Sequence, residues 1–175
     1  MTAFDISGYM QDPERRQRQT TGDEREMLER FLDFERDTLL WKLTGLTEEQ
    51  AGRKLTPSGM SLLGLVKHLA YVERNWFQFR FLGHKVYIPW RSSDREGDFR
   101  IEPDESPETV LNFYKAEIEQ SRRIVAETAW LDALAVDADR PVTLRWILIH
   151  MIEETARHVG HADLMREMTD GQTGE

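Results

Sequence analysis

Cysteine is absent from the 175-residue chain. That excludes disulfides, thiolate metal sites and a cysteine nucleophile, so a metal would have to be held by His, Asp or Glu, and any thiol chemistry needs its sulfur from outside. Basic residues are in deficit. The 23 Lys and Arg against 32 Asp and Glu give a formal charge of -9, which opposes an electrostatic grip on phosphate backbones or anionic lipid. Neither nucleic acid nor a membrane surface is an expected partner. Long apolar runs are also missing: no stretch approaches the roughly 20 residues of a membrane span. The opening MTAFDISGYMQDPERRQRQT lacks the continuous apolar core of a secretory signal, so the expected location is the cytoplasm.

What is present is helical periodicity. With 39% hydrophobic residues, the chain suits one domain around one sizeable core, with no second domain, internal repeat or low-complexity tract. A polar leader is expected over 1–22, a helical domain over 23–168 and a C-terminal tail over 169–175. In DEREMLERFLDFERDTLLWKLTG, Met27, Phe31, Phe34, Thr38 and Trp41 recur at steps of four and three, predicting one helix face, with Gly45 as the stop. TEEQ at 47–50 has capping-box spacing and predicts a short extra helical turn before the TPSG loop. SLLGLVKHLAYVERNWFQFRF places Leu62, Leu65, Leu69, Val72 and Trp76 on one side of a second long helix that ends at Gly83.

The segment 83–105, GHKVYIPWRSSDREGDFRIEPDE, is long for a loop in a compact domain, and loops of this length are often lids or binding segments. A short strand over 86–88 is compatible with it. Ser106 and Pro107 predict the cap and first position of a third helix running to about Glu127. Its packing face is Val110, Leu111, Tyr114, Ile118, Ser121 and Val125. Thr143 opens the last helix. Four long helices plus a short extra turn predict an all-α four-helix bundle.

The last helix carries three of the five histidines, in HMIEETARHVGHADLMRE. At about 100 degrees per residue, Leu144, Leu148, Met151, Thr155, Val159 and Ala162 form its buried stripe, with His158 inside the margin and Glu154 just outside on the same side. At i, i+4 the two side chains are neighbours, close enough to grip one ion. A third ligand has to come from a facing helix, and His68 sits on the shoulder of the second helix's stripe. This His, His, Glu set suits zinc and similar divalent ions and leaves positions open for water or substrate. Its ligand atoms are expected within about 4 Å of one another. The spacing alone is met equally well by a helix ion pair beside a hydrogen-bonded core histidine. His150 and His161 fall outside the central stripe and read as boundary or solvated residues.

FLDFERDTLLWKLTGL, SLLGLVKHLAYVERNWF and EETARHVGHADLMRE, in this order, resemble the DinB/YfiT-like superfamily, in particular its actinobacterial DinB-like proteins, over residues 23–167. The resemblance implies an up, up, down, down bundle with a metal triad of one histidine on the second helix and His-x-x-x-His on the last. His68 and His158 match the first and third positions. Glu154 departs from the middle histidine, as in the mycothiol-dependent maleylpyruvate isomerase branch that it resembles. His161 stands where many members have glutamine.

The resemblance further implies a metal-dependent thiol S-transferase that joins a low-molecular-weight thiol such as mycothiol to a small electrophile. A divalent ion, zinc first, would be the cofactor. Trp76, Tyr87, Trp90, Arg91 and His161 are the candidate substrate-binding residues. The competing classes are a non-enzymatic scaffold whose metal staples the bundle and a hydrolase using metal-bound hydroxide. A homodimer is implied as well. Trp41, Trp130, Trp146 and Leu164 exceed what one bundle readily buries, unless the leader residues Phe4 to Met10 cover that face.

Overall fold

In the computed structural model, which describes residues 20–94, 96–137 and 139–173, side-chain caps set where each helix begins. Asp23 accepts from the Glu26 N–H and Glu26 returns the bond to the Asp23 N–H, opening α1, Glu24–Trp41. Thr47 and Gln50 repeat this reciprocal box ahead of the short α2, Glu48–Gly52. Ser61 caps α3, Leu62–Glu73. Ser106 caps α4, Pro107–Glu127, with Pro107 in the first turn, and Thr143 caps α5, Leu144–Asp170. Each cap satisfies a backbone donor that the first helical turn leaves without a partner.

The fold is all-α, as the periodicity predicts. α1 lies along α5 and α3 lies along α4, with α5 also touching α3. All of them feed one apolar cluster that runs from Leu32 and Leu39 through Leu65, Leu69 and Leu111 to Leu148. No helix among the described residues is long and apolar enough to cross a membrane.

Three local expectations need correction. The buried face of α1 is not the Met27, Phe31, Phe34, Trp41 stripe, all four of which are only partly buried; of that set Thr38 alone is fully buried. The face turned inward carries Leu32, Glu35, Arg36 and Leu39 instead. A charged pair sits in it, because Arg36 reaches Glu73 on α3 through two bonds of 2.8 and 2.7 Å. On the second long helix, the stripe Leu62, Leu65, Leu69, Val72 is buried as expected, but Trp76 is not its next member. α3 passes without a break into a π-helical segment, Arg74–Phe81, where Leu82 N–H reaches back five residues to Phe77 O. The wider turn shifts the buried face to Phe77 and Phe81. Gly83, at φ +70, then ends the helix in a conformation that a side chain would strain. Finally, no strand forms over 86–88. The Val86 N–H turns back onto His84 O, and Pro89–Arg91 make one 3-10 turn.

Every residue of the expected packing faces of α4 and α5 is buried, and the buried faces also take in Glu117 and Ile124 on α4 and Ile147, Met165 and Arg166 on α5. α5 ends at Asp170, with Gly171 in the left-handed conformation. Trp130, Trp146 and Leu164 stay exposed at 76%, 37% and 61%, so the described part of the chain leaves the second apolar face of α5 open. The proposed cover, Phe4 to Met10, lies outside the described residues, as does most of the leader.

Candidate metal centre

His68 projects from the middle of α3, and Glu154 and His158 project from successive turns of α5. Where the two helices meet, their ligand atoms lie within 4.8 Å of one another. The set is looser than the expected 4 Å overall, yet tight around one atom. Glu154 Oε1 is 3.3 Å from His158 Nε2 and 3.7 Å from His68 Nε2. The other Glu154 oxygen is held by Arg157 at 3.0 Å. The site is close to the surface without being open on all sides, since the side chains of His68, Glu154 and His158 are 13%, 16% and 9% exposed.

Sequence reasoning missed Asp98, a buried residue of the 83–105 segment whose Oδ2 lies 2.6 Å from His68 Nδ1. A carboxylate has no proton to donate, so Nδ1–H donates, and in the neutral ring the Nε2 lone pair faces Glu154. Nε2 is buried and without a hydrogen-bond partner among the described residues. The His68 lone pair, the Glu154 oxygen and His158 Nε2 therefore converge on one point, an arrangement that repels itself unless a proton on His158 Nε2 or a cation sits among them. The donor set, its spacing and the orphaned Nε2 fit a divalent metal ion. Protonation is the other solution, and the electrostatics show it. Burial works to lower the His68 pKa, but the hydrogen bond to Asp98 and the facing Glu154 carboxylate outweigh it and the net shift is upward. The His158 imidazole and then that of His68, both facing Glu154 Oε1, hold the Glu154 carboxyl far below the usual carboxylate range.

Aromatic rings wall the site on the loop side. Phe99 stacks on His68 with centroids 4.1 Å apart and planes 12° off parallel, and Trp90 stands 6.1 Å from the same ring. Of the residues named as substrate contacts, Trp90 and His161 are thus brought to the triad, His161 through Nδ1 at 3.4 Å from His158 Nδ1. Trp76 is not. Its ring packs on Trp146 and His150 at 5.3 and 4.7 Å, and His150 precedes His158 by about 12 Å of helix. Tyr87 meets Tyr71, and the Arg91 guanidinium lies over Phe79. His150, read as a boundary residue, is 3.8 Å from Glu153.

The profile of a family described as mycothiol-S-transferase matches residues 27–171. No curated protein matches the chain. Among solved structures, the crystal structure of a conserved protein from Enterococcus faecalis superposes with a TM-score of 0.63 at 15% identity, covering 87% of this chain and 100% of that one. At that identity the likeness is one of fold.

Proposed function

Because the chain belongs to the mycothiol-S-transferase family, we propose that it is a cytoplasmic, metal-dependent thiol S-transferase joining mycothiol or a similar small thiol to a small electrophile. His68, Glu154 and His158 are the metal ligands in this reading, and zinc is the expected ion. The observation that carries it is the convergence of His68 Nε2, His158 Nε2 and Glu154 Oε1 with no fourth candidate ligand among the described residues. Three protein ligands at a partly exposed site suit catalysis, whereas a closed fourth ligand would suit a structural staple.

A divalent ion held there supplies a Lewis acid that lowers the pKa of a thiol as it does that of water. The protein's own part is electrostatic and steric. Glu154 brings one negative charge and the imidazoles none, so a bound divalent ion would keep one net positive charge toward an anionic sulfur, partly offset by the Asp98 carboxylate behind His68. Trp90 and Phe99 keep water from that side, and interactions strengthen in the lower dielectric. His161, exposed beyond His158, can accept a hydrogen bond from His158 Nδ1–H and so fix which nitrogen faces the centre. Trp76, Tyr87 and Arg91 lie farther out and would meet only the distal parts of a larger substrate.

The test is elemental analysis of the untagged protein followed by thiol consumption against a panel of electrophiles. We expect stoichiometric metal and a rate that disappears on chelation. Turnover unchanged by full metal removal would overturn the reading.

The site also predicts opposite pH responses with and without metal. A histidine whose folded pKa is raised contributes stability that is complete below its unfolded value, near 6.5, and is lost as pH rises through the folded value. Glu154, held low, contributes above its unfolded value, near 4.5, and loses this only as pH falls through the folded one. The chelated protein should therefore draw most from this cluster between those values. Zinc reverses the trend, since protons must leave the imidazoles before the metal binds. Raising the pH from about 5.5 to about 8 should lower the melting temperature of the chelated protein relative to a His68→Gln variant and raise that of the zinc-loaded protein. Parallel pH trends in both forms would contradict this.

We also propose a homodimer, supported by the exposed Trp130, Trp146 and Leu164. Light scattering coupled to size exclusion should give twice the 20.6 kDa chain mass. The mass of a single chain would defeat the dimer.

A further inference from the structure

We infer that Asp98 is the positioning residue of the metal centre and that the packing of the 83–105 segment against α3 serves to hold it there. The inference rests on the reading of His68 as a ligand and adds to it a residue that touches no metal.

Three observations carry it. Asp98 is 3% exposed, so its carboxylate has given up most of its hydration. In return it makes one bond, from Oδ2 to His68 Nδ1 at 2.6 Å, while Oδ1 is buried without a partner among the described residues. Among the described residues, the bond to His68 is thus the single side-chain contact that this buried carboxylate is placed to make. What this one does achieve is to fix the proton on Nδ1, to leave Nε2 as the donor toward Glu154 and His158, and to raise the basicity of that nitrogen.

The second observation is that the ring is clamped in two independent ways. Asp98 fixes its edge, and the next residue, Phe99, lies flat on its face at 4.1 Å. Rotation of the imidazole about its own bond would break both contacts at once.

The third is how the backbone of this segment is seated. Gly64, Lys67 and His68 occupy neighbouring positions on one face of α3 at i, i+3 and i+4, and residues 97–100 lie across that face. At Gly64 a Cβ would come 2.5 Å from the Phe99 carbonyl oxygen, so the close approach needs glycine. Lys67, itself buried, donates to the Arg100 carbonyl at 2.6 Å and to Glu105 at 2.7 Å. One and two residues after Asp98, the segment is thus fixed to the very turn of helix that carries the ligand.

A simple clasp that holds the segment down would show the same contacts, so the test must separate metal affinity from stability. Zinc affinity is measured by competition with a chromophoric chelator on the full chain, alongside the melting temperature of each metal-free protein. Asp98→Ala should weaken zinc binding about 10- to 100-fold. Asp98→Asn, which still accepts from Nδ1–H but without charge, should lose less and melt close to the parent; it decides the matter if the alanine variant does not fold. Gly64→Ala, which alters no ligand and displaces the Phe99 backbone, should also weaken zinc. Parent-like zinc affinity in both Asp98 variants would overturn the positioning role. Parent-like affinity in Gly64→Ala, with a lowered melting temperature, would overturn the part assigned to the loop seat. Failure of the underlying reading looks different: His158→Ala would then bind zinc as the parent does.

Discussion

Replacing His158 with alanine should remove metal retention while leaving the helices folded. Losing a direct ligand from a three-ligand set should exceed the roughly 100-fold loss in affinity that follows when a ligand loses its hydrogen-bond partner. The chain itself should survive. Its core is built from Leu32, Leu39, Leu65, Leu69, Leu111 and Leu148, each at most 1% exposed and none dependent on the site. The cost to the metal-free fold should stay within the ordinary range of about 0.5–3 kcal/mol for a point substitution. Metal content by elemental analysis, read beside far-UV circular dichroism, checks both halves. Complete unfolding would move the protein toward the class in which metal binding is the folding energy, and the staple reading would gain.

The largest effect on stability should come from a pair outside the site. Glu73→Ala leaves Arg36, 3% exposed, facing its former partner across the α1–α3 contact with Asp33 at 3.0 Å as its remaining ion-pair partner. Removing one member of such a buried pair costs about 3–5 kcal/mol, because the surviving charge stays desolvated. Against a total stability of about 5–15 kcal/mol, that is a large fraction. Replacing both partners with apolar residues, Arg36→Met with Glu73→Leu, should cost much less, since no charge is then stranded. Urea denaturation of the chelated proteins measures both. A loss below about 1 kcal/mol for Glu73→Ala would mean that the pair is solvated in solution.

The same pair explains where the sequence could be read and where it could not. Caps are local chemistry, so Ser106 with Pro107 and Thr143 located the starts of α4 and α5 directly. The α5 stripe was legible because its members are apolar and evenly spaced, and His158 and Glu154 could be placed by angle from it. On α1 the pattern misled. Arg36 and Glu35 occupy the inward face, and a rule that counts only apolar residues turns the helix toward Phe31 and Phe34 instead. Trp76 was misplaced by winding: a period of 3.6 carried through Arg74–Phe81 puts it in the stripe, whereas the π-helical turns bury Phe77 and Phe81.

Asp98 left no periodic trace at all. It is 30 residues from His68 in the chain, in a segment without regular structure, and reaches it only because Gly64 admits the Phe99 carbonyl and Lys67 holds Arg100. The GDF run at 97–99 was visible, but nothing in the order of residues said which helix it would lie against. Of the candidate contacts drawn from that loop, Trp90 reached the triad, while Tyr87 and Arg91 found partners of their own in Tyr71 and Phe79.

The central claim is that His68, Glu154 and His158 hold one divalent ion, and anomalous diffraction at the zinc edge from zinc-equilibrated crystals tests it most directly. The account predicts one strong peak about 2.0–2.2 Å from His68 Nε2, a Glu154 oxygen and His158 Nε2, with at least one further position free of protein ligands. No peak there at saturating zinc, or a peak bound elsewhere with these three side chains turned apart, would contradict it.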